Sequence, residues 1–492
     1  MSKPLKVLAL AMGDGINLVL NFLLIPILAR TFDVETYGTY GQVLMLAGFF
    51  VTLLSMGLNN ILLRDLSHNE NKAEVFYNNL FSGILVGAAG MLVVLIFAPI
   101  VGTYFKNPTL VSALRFYTPY IPLTIAISSC NAALIFLGKS KSIVLVSVIT
   151  NLIRLIGIIF ISLVLDRNLN IIFAFLTTLS LGQFLVLWKE VDWKYYFNLV
   201  SRSKISSQIK SALPLGITVM ISSIITIADG FYVSTLLNVE EYALYRNGAM
   251  YLPLVMNLYG AINSIILPDV SQLYKNNAWS QIASMKRTIA DLFVLIVYPV
   301  LIFFLFFARD LVILIFSEKY ALSTVIFQIY NVSLFFRICN AEDLFIVANK
   351  ASRLPYIYAI TCIYVLIVNY VFISLWGING AVLASFSGVI LLILLVYYYG
   401  FRLIQMKLSE VVPWKNIGRV ILITVPLNLL LITGEVYLYH PFYFILAFIP
   451  YILLCYLIFL KLEWMNSSLV RKMVVSVTGH GKFVKAYDSI FG

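Results

Sequence analysis

The chain has 492 residues, 61% of them hydrophobic and 11% charged, with a mean hydropathy of +0.95 and a formal net charge of +12. Soluble domains average about 25% charged residues, which excludes a chain buried in one aqueous-facing core. Apolar runs of about 20 residues, the length a helix needs to cross a bilayer, recur from end to end.

Membrane spans are predicted near 8–28, 40–60, 79–101, 114–137, 142–165, 171–187, 213–236, 244–267, 289–308, 323–348, 355–375, 379–399, 417–433 and 442–460. The fold class is thus an all-α membrane protein with 14 transmembrane helices. Lys3 and Lys6 precede a first run of full spanning length with no small-residue cleavage site, so it reads as a helix and not as a cleaved signal. Cys130, Cys339, Cys362 and Cys455 all fall in apolar runs without metal-type spacing and read as packing residues.

Fourteen spans put both termini on one side. Short cytoplasmic connections are enriched in Lys and Arg, which tests the arrangement. Of the 34 Lys and Arg, 25 fall on the side of the N-terminus. The opposite side carries Arg30, Lys106, Arg115, Arg167, Arg246, Arg309 and Lys319, and Arg154 and Arg337 lie within spans. Both termini are therefore predicted to be cytoplasmic. The basic balance is a topology signal, reinforced by anionic lipid, and no nucleic-acid partner is implied.

Three segments recur in order. Val34 to Tyr40 (VETYGTY) echoes Val239 to Tyr245 (VEEYALY), Ile61 to Ser67 echoes Ile265 to Ser271, and Cys130-Asn131-Ala132 echoes Cys339-Asn340-Ala341. The offsets of 205, 204 and 209 residues each cover six spans. An even number gives a parallel-topology repeat. The predicted organisation is an N-lobe (1–187), a cytoplasmic linker (188–212), a C-lobe (213–399), two further spans (400–460) and a cytoplasmic tail (461–492). The linker reads as a connection that lets two lobes rock. Its stretch Trp193, Lys194, Tyr195, Tyr196, Phe197 reads either as an amphipathic surface segment or as a solvated loop.

Leu28-Ala29-Arg30, Tyr37-Gly38-Thr39-Tyr40, Gly57-Leu58 and Arg64 resemble the opening of the Wzx-type polysaccharide flippases. Ala212-Leu213-Pro214, Asp229, Tyr245, Gly248-Ala249, Pro268 and Ser271 are similar to that family's second half. It belongs to the multidrug/oligosaccharidyl-lipid/polysaccharide (MOP) superfamily, and the resemblance covers nearly the whole chain. The resemblance implies two six-helix lobes in a V around a central cavity, alternating between cytoplasmic and periplasmic opening in a bacterial cytoplasmic membrane. The implied cargo is an undecaprenyl-diphosphate-linked oligosaccharide for O-antigen, lipopolysaccharide or capsule, with a polymerase and chain-length machinery as possible partners. The motifs separate the superfamily from other transporters better than they separate its members. Its drug-extruding branch usually has 12 spans, so the extra pair favours the glycolipid branch.

Polar residues inside a membrane are costly and usually face a protein interior or a cavity. Asp14, Asn17 and Asn21 form one stripe on span 1, and Thr218, Ser222, Thr226 and Asp229 form another on span 7. As repeat equivalents the two stripes are expected to face each other across the cavity; the alternative is helix–helix hydrogen bonding. Arg154 lies near the middle of span 5, with Ser147 and Asn151 on its face. Arg337 lies near the middle of span 10, with Ser333 and Asn340 on its face. A guanidinium fork suits diphosphate oxygens, so both are candidate substrate groups, or else ion-pair partners of Asp14, Asp229, Glu342 or Asp343. Arg30, Arg64 and Arg246 at span ends are further substrate candidates. Glu342 and Asp343 are candidates to load a proton or Na⁺, or to pair with Arg337. No cofactor is expected beyond a possible ion gradient.

Within the same fold, a lipid II flippase or a drug/cation antiporter is the alternative. A membrane glycan polymerase is less consistent with connections as short as 308–322 and 102–113, and His68, His440 and His480 are all outside the spans. No nucleotide-binding glycine loop, metal constellation or nucleophile triad spacing is present, so the chain is read as no enzyme.

Overall fold

The computed structural model describes residues 3–55, 57–164, 168–194, 200–438, 443–462 and 464. Among the described residues the regular structure is entirely helical. In chain order, α1 (Lys3–Thr31), α2 (Val34–Ser55), α3 (Leu58–His68) and α4 (Lys72–Tyr104) are followed by α5 (Pro108–Tyr117), α6 (Tyr120–Phe136), α7 (Ser140–Val164) and α8 (Leu169–Val191). The middle of the chain forms α9 (Arg202–Leu236), α10 (Val239–Gly248), α11 (Pro253–Lys275), α12 (Trp279–Phe306) and α13 (Ala308–Phe316). The remainder forms α14 (Ser323–Val332), α15 (Glu342–Val347), α16 (Leu354–Arg402), α17 (Leu408–Val411), α18 (Trp414–Leu438) and α19 (Tyr443–Lys461).

Ten helical stretches among the described residues are long and apolar enough to cross a membrane. Nine correspond to one expected span each, and Ala351–Arg402 holds two. Inside that stretch Gly377 breaks the helix at φ 58° and ψ −136°, a conformation that L side chains resist. The first expected span lies in α1. The span expected at 244–267 is interrupted between α10 and α11, and the one expected at 323–348 between α14 and α15. Both outer connections read as loops carry helices, α13 and α5.

The linker differs from its expected bounds. α8 runs to Val191 and α9 starts at Arg202, so Arg202, Lys204 and Lys210 are helical. Trp193, between the two helices, and Lys204, in the first turn of α9, both contact the start of α4. Trp193 packs edge-on against Phe76 at 5.4 Å and its carbonyl accepts from Tyr77 Oη at 2.6 Å, while Lys204 Nζ lies 2.5 Å from Glu74 Oε1. Tyr195, Tyr196 and Phe197, and most of the tail after 460, lie outside the described residues.

The residues group into two compact units. One comprises Met1–Asn247, Ile315–Tyr320 and Tyr358–Ser385; the other comprises Gly248–Leu314, Ala321–Ile357 and Phe386–Gly492. The first therefore contains residues of both expected lobes. Its core includes Phe76 and Leu80 of α4, Cys130 and Ala133 of α6 and Leu187 of α8. The second is built around Ile282 of α12, Cys339, Phe345 of α15, and Tyr397 and Phe401 of α16. All four cysteines are buried and free.

The break between α14 and α15 is the main departure from the sequence reading. A 3-10 turn at Ser333–Phe336 leads into Arg337, at φ −87° and ψ 57°, and the helix resumes at Glu342. Carbonyls freed in an apolar medium need partners, and side chains of the second unit supply them. Tyr298 Oη donates to Phe335 O at 2.7 Å, and Tyr397 Oη to Phe336 O and Cys339 O at 3.0 and 2.9 Å. Tyr259 Oη donates to Cys339 O at 3.2 Å and Lys286 Nζ to Asn340 O at 2.6 Å.

Candidate functional site

In the first unit, α2 and α9 form a seam that is closed at one end and open at the other. Gly38, Gly41, Met45, Gly48 and Thr52 recur at steps of three and four and so share one face of α2. At the closed end Gly38 abuts the backbone of Val239, and a Cβ on Gly41 would lie 2.8 Å from Cδ and Nη1 of Arg246. Gly38 requires glycine because of that backbone approach, whereas a side chain at Gly41 would have to displace that of Arg246. Two turns on, Gly48 has open space beside it. There the seam widens into a cavity of about 570 Å³, lined on α2 by Gly48 and Thr52, on α9 by Thr218, Ser222 and Thr226, and on α16 by Tyr358. The walls mix this hydroxyl stripe with apolar neighbours such as Phe49 and Ile227.

Asp229 continues the α9 stripe towards the closed end and is buried. Its Oδ2 accepts from Tyr245 Oη at 2.6 Å and from Ser385 Oγ at 2.8 Å, and its Oδ1 accepts from the Gly230 amide at 2.7 Å. Tyr245 Oη and Ser385 Oγ are themselves 2.8 Å apart. The carboxylate and the two hydroxyls thus form a triangle within hydrogen-bond distance of one another.

Beyond it the two recurring segments pack on each other. The Arg246 guanidinium of α10 lies over the Tyr37 ring, 5.7 Å from its centroid, and Tyr37 Oη donates to Asn247 Oδ1 at 2.8 Å. Tyr320 meets Tyr37 edge-on at 5.7 Å. Arg246 Nη1, Asn247 Nδ2 and Tyr320 Oη are buried without a hydrogen-bond partner among the described residues. Tyr40 lies within electrostatic reach of both Arg246 and Arg154.

The α1 stripe is used differently from its expected partner. Asn17 Oδ1 accepts from Asn151 Nδ2 at 2.8 Å, and Asn21 Oδ1 accepts from Arg154 Nη1 at 3.1 Å, both on α7. Its described members thus make helix–helix hydrogen bonds with span 5, while the span 7 stripe meets α2. The side chain of Asp14 lies outside the described residues. Arg154 Nε is buried and unbonded, with no carboxylate at ion-pair distance among the described residues. Arg30, at the last turn of α1, is exposed, and Arg64 is exposed and bonded to Asp65 at 2.9 Å.

In the second unit the helix break overturns the helical-face argument for Arg337, Ser333 and Asn340. Arg337 stacks on Tyr251 at 5.6 Å, with Nε buried and unbonded. Asn340 Oδ1 accepts from the Glu342 amide, the first of α15, at 2.9 Å. Asp343 pairs with Lys286 of α12 and not with Arg337, and both partners are buried. Lys286, read as a cytoplasmic loop residue, was missed; the signal was its place at helical steps with Ile282, Ala290 and Phe293, one buried face of a helix starting ten residues before the expected span. Ser385 and Tyr320 were missed because nothing local ties them to Asp229 or Tyr37.

The sequence model of a family described as "Polysaccharide biosynthesis protein" matches residues 27–325. A comparison with curated protein sequences found no match. Among solved structures, the lipid II flippase MurJ in an inward closed conformation is similar over 92% of this chain and 98% of its own, with a TM-score of 0.73 and 16% identity. An inward-facing multidrug resistance MATE family transporter of the MOP superfamily is similar over 78% of this chain and 94% of its own, with a TM-score of 0.66 and 13% identity. An outward-facing one has a TM-score of 0.57 and 12% identity over 81% and 95%. At such identities the likeness carries the fold, which is the helical fold of MurJ and the MATE transporters.

Proposed function

Since the chain belongs to the polysaccharide biosynthesis protein family, we propose that it is a flippase that moves an undecaprenyl-diphosphate-linked oligosaccharide between leaflets of a bacterial cytoplasmic membrane by alternating access. The observation that carries this reading is the cavity between α2 and α9, sealed at the Gly38–Val239 end and open at the Thr52–Thr218 end. A glycan head group cannot cross hydrocarbon unaided, and hydroxyl-bearing walls offer it hydrogen bonds in place of water. With both termini cytoplasmic, as the Lys/Arg distribution supports, the open end faces the cytoplasm. The unbonded N–H groups of Arg154, Arg246 and Arg337 are the candidate diphosphate donors. A proton or Na⁺ at the Asp229–Tyr245–Ser385 triangle is the proposed coupling device.

The test is transport in proteoliposomes containing a defined undecaprenyl-diphosphate oligosaccharide, with and without a proton or Na⁺ gradient. Gradient-dependent exposure of the glycan on the far leaflet is expected. Ser222→Trp, which fills the cavity, should reduce the rate at least tenfold, roughly the loss expected when binding geometry is spoiled. Asp229→Asn should remove the gradient dependence while leaving slow downhill exchange. Normal transport by Arg154→Ala, Arg246→Ala and Arg337→Ala alike would overturn the diphosphate assignment. MurJ covers 98% of its own length against this chain, so lipid II is the second cargo to assay. Movement of lipid II with none of the oligosaccharide would replace the first reading with that one.

A further inference from the structure

Where α16 ends, the geometry points to a second site, an interfacial pocket that holds one anionic phospholipid. It lies in the second unit, has a volume of about 570 Å³, and is lined chiefly by Leu394, Tyr398, Arg402, Met406, Lys407 and Leu408. Leu394, Tyr398 and Arg402 follow at steps of four and so form one outer face of the helix. Val396 and Ile404 are sealed in the unit's core, and Phe401, buried in the same core, floors the pocket.

The chain then turns back on itself. Gln405 adopts a left-handed conformation (φ 56°), and the Met406 amide donates to Phe401 O at 3.0 Å. That reversal sets Met406, Lys407 and Leu408 across from the outer face and makes a groove where the apolar span gives way to Arg402, Lys407, Lys415 and Arg419.

The two ends of the groove differ in chemistry. Leu394 and Tyr398 are 50% and 57% exposed, so an apolar wall waits on that side for a covering. Arg402 Nη1 donates to Tyr398 Oη at 2.9 Å, and the guanidinium stacks 5.2 Å from that ring, which fixes its position and leaves its other N–H groups free to donate. Neither Arg402 nor Lys407 has a carboxylate at ion-pair distance among the described residues. A helix C-terminus is the negative pole of its dipole and disfavours an anion. Here the Phe401 and Arg402 carbonyls are already taken by the Met406 and Gln405 amides, and two full cations outweigh what remains. Charge complementarity selects an anionic head group, and the apolar wall selects one attached to an acyl chain. A phosphodiester on Arg402 and Lys407 with a chain along Tyr398 and Leu394 satisfies both. This inference is independent of the cargo proposed above.

Native mass spectrometry of the full-length protein, titrated with phosphatidylglycerol or phosphatidylcholine, tests it. Wild type is expected to retain phosphatidylglycerol in preference to phosphatidylcholine. Arg402→Gln/Lys407→Gln should weaken phosphatidylglycerol retention roughly thirtyfold, two basic residues' worth of attraction, and leave phosphatidylcholine unchanged. Arg402→Lys/Lys407→Arg, which keeps the charges, should retain it, which separates loss of the site from loss of the fold. An equal loss in the exposed, charge-matched Lys275→Gln/Lys350→Gln would overturn the site in favour of general surface attraction. Full displacement by millimolar inorganic phosphate, or undiminished retention in Arg402→Gln/Lys407→Gln, would overturn it as well.

Discussion

Single side chains at the closed end of the seam hold its geometry, and Asp33 is the one whose charge is easiest to read. It caps α2: its Oδ1 accepts from the Thr36 amide at 2.7 Å and its Oδ2 from the Thr36 hydroxyl at 2.8 Å. Partial burial pushes the carboxyl up, but the Thr36 amide and hydroxyl and neighbouring amides outweigh it and leave the pKa below the ordinary 3.8. A lowered carboxylate pKa makes the ionised form the stabilising one. The cap therefore contributes fully above about pH 3.8 and is lost as pH falls through the lowered value. Asp33→Ala should destabilise by about 0.5–1 kcal/mol at neutral pH, the low end for a cap because the residue is exposed. The gap to wild type should close as the pH is taken below that window, as read by thermal unfolding in detergent. Asp33→Asn keeps an acceptor for the Thr36 amide, so its gap at neutral pH should be the smaller one. It should shrink by the same amount as pH falls, because the titrating group is the wild-type carboxylate. A deficit in Asp33→Ala that persists undiminished at the lowest pH would rule the cap out.

At the scale of elements, the break in span 10 depends on one buried lysine more than on its own sequence. Lys286 Nζ bonds both Asn340 O and the Asp343 carboxylate, and so holds the non-helical segment and the first turn of α15 together. Removing one partner of a buried pair leaves an uncompensated charge, at about 3–5 kcal/mol, whereas replacing both is often neutral. Lys286→Met should therefore destabilise the protein by roughly that amount, and Lys286→Met/Asp343→Leu should recover most of it, measured as unfolding midpoints in detergent. A double variant as unstable as the single would show that the pair is not the organising contact. The same element shows what sequence does and does not encode. Apolar runs are legible one window at a time, so eleven of the fourteen expected spans reappear in the ten long apolar helices. The segment Arg337 to Ala341 contains neither Pro nor Gly, and its break is imposed by Tyr259, Tyr298, Tyr397 and Lys286 from three other helices. In α6, Cys130-Asn131-Ala132 stays helical, although Cys339-Asn340-Ala341 echoes it residue for residue. The candidate site was legible as the stripe Thr218, Ser222, Thr226, Asp229, because helical steps fix a face. Its opposite wall was not, since no local pattern sets Gly48 and Thr52 apart until the two helices are seen to part.

For the molecule as a whole, a fold shared with transporters of opposite-facing conformations makes the parting of α2 and α9 the movement to test. The seam is fixed at Gly38, Gly41 and Gly230, where each glycine is already in close approach, and is free at Gly48. A device that alternates must close the open end while releasing the sealed one, and packed seams switch between discrete arrangements more readily than they stretch. Cysteines placed at Thr52 and Thr218, on opposite walls of the cavity, report on that closure. The native cysteines are buried and should not compete for a reagent. A short bifunctional thiol cross-linker applied to Thr52→Cys/Thr218→Cys should arrest transport, and a longer one that spans the open cavity should leave part of it. Closure that brings these positions together predicts that cross-linking speeds up in the presence of cargo, since a ligand favours the state it binds better. Arrest should be reversed by cleaving the linker, and neither single-cysteine variant should respond. Full transport with both walls joined by the short linker would mean that the seam does not move, and the site of alternation would have to be sought within the second unit.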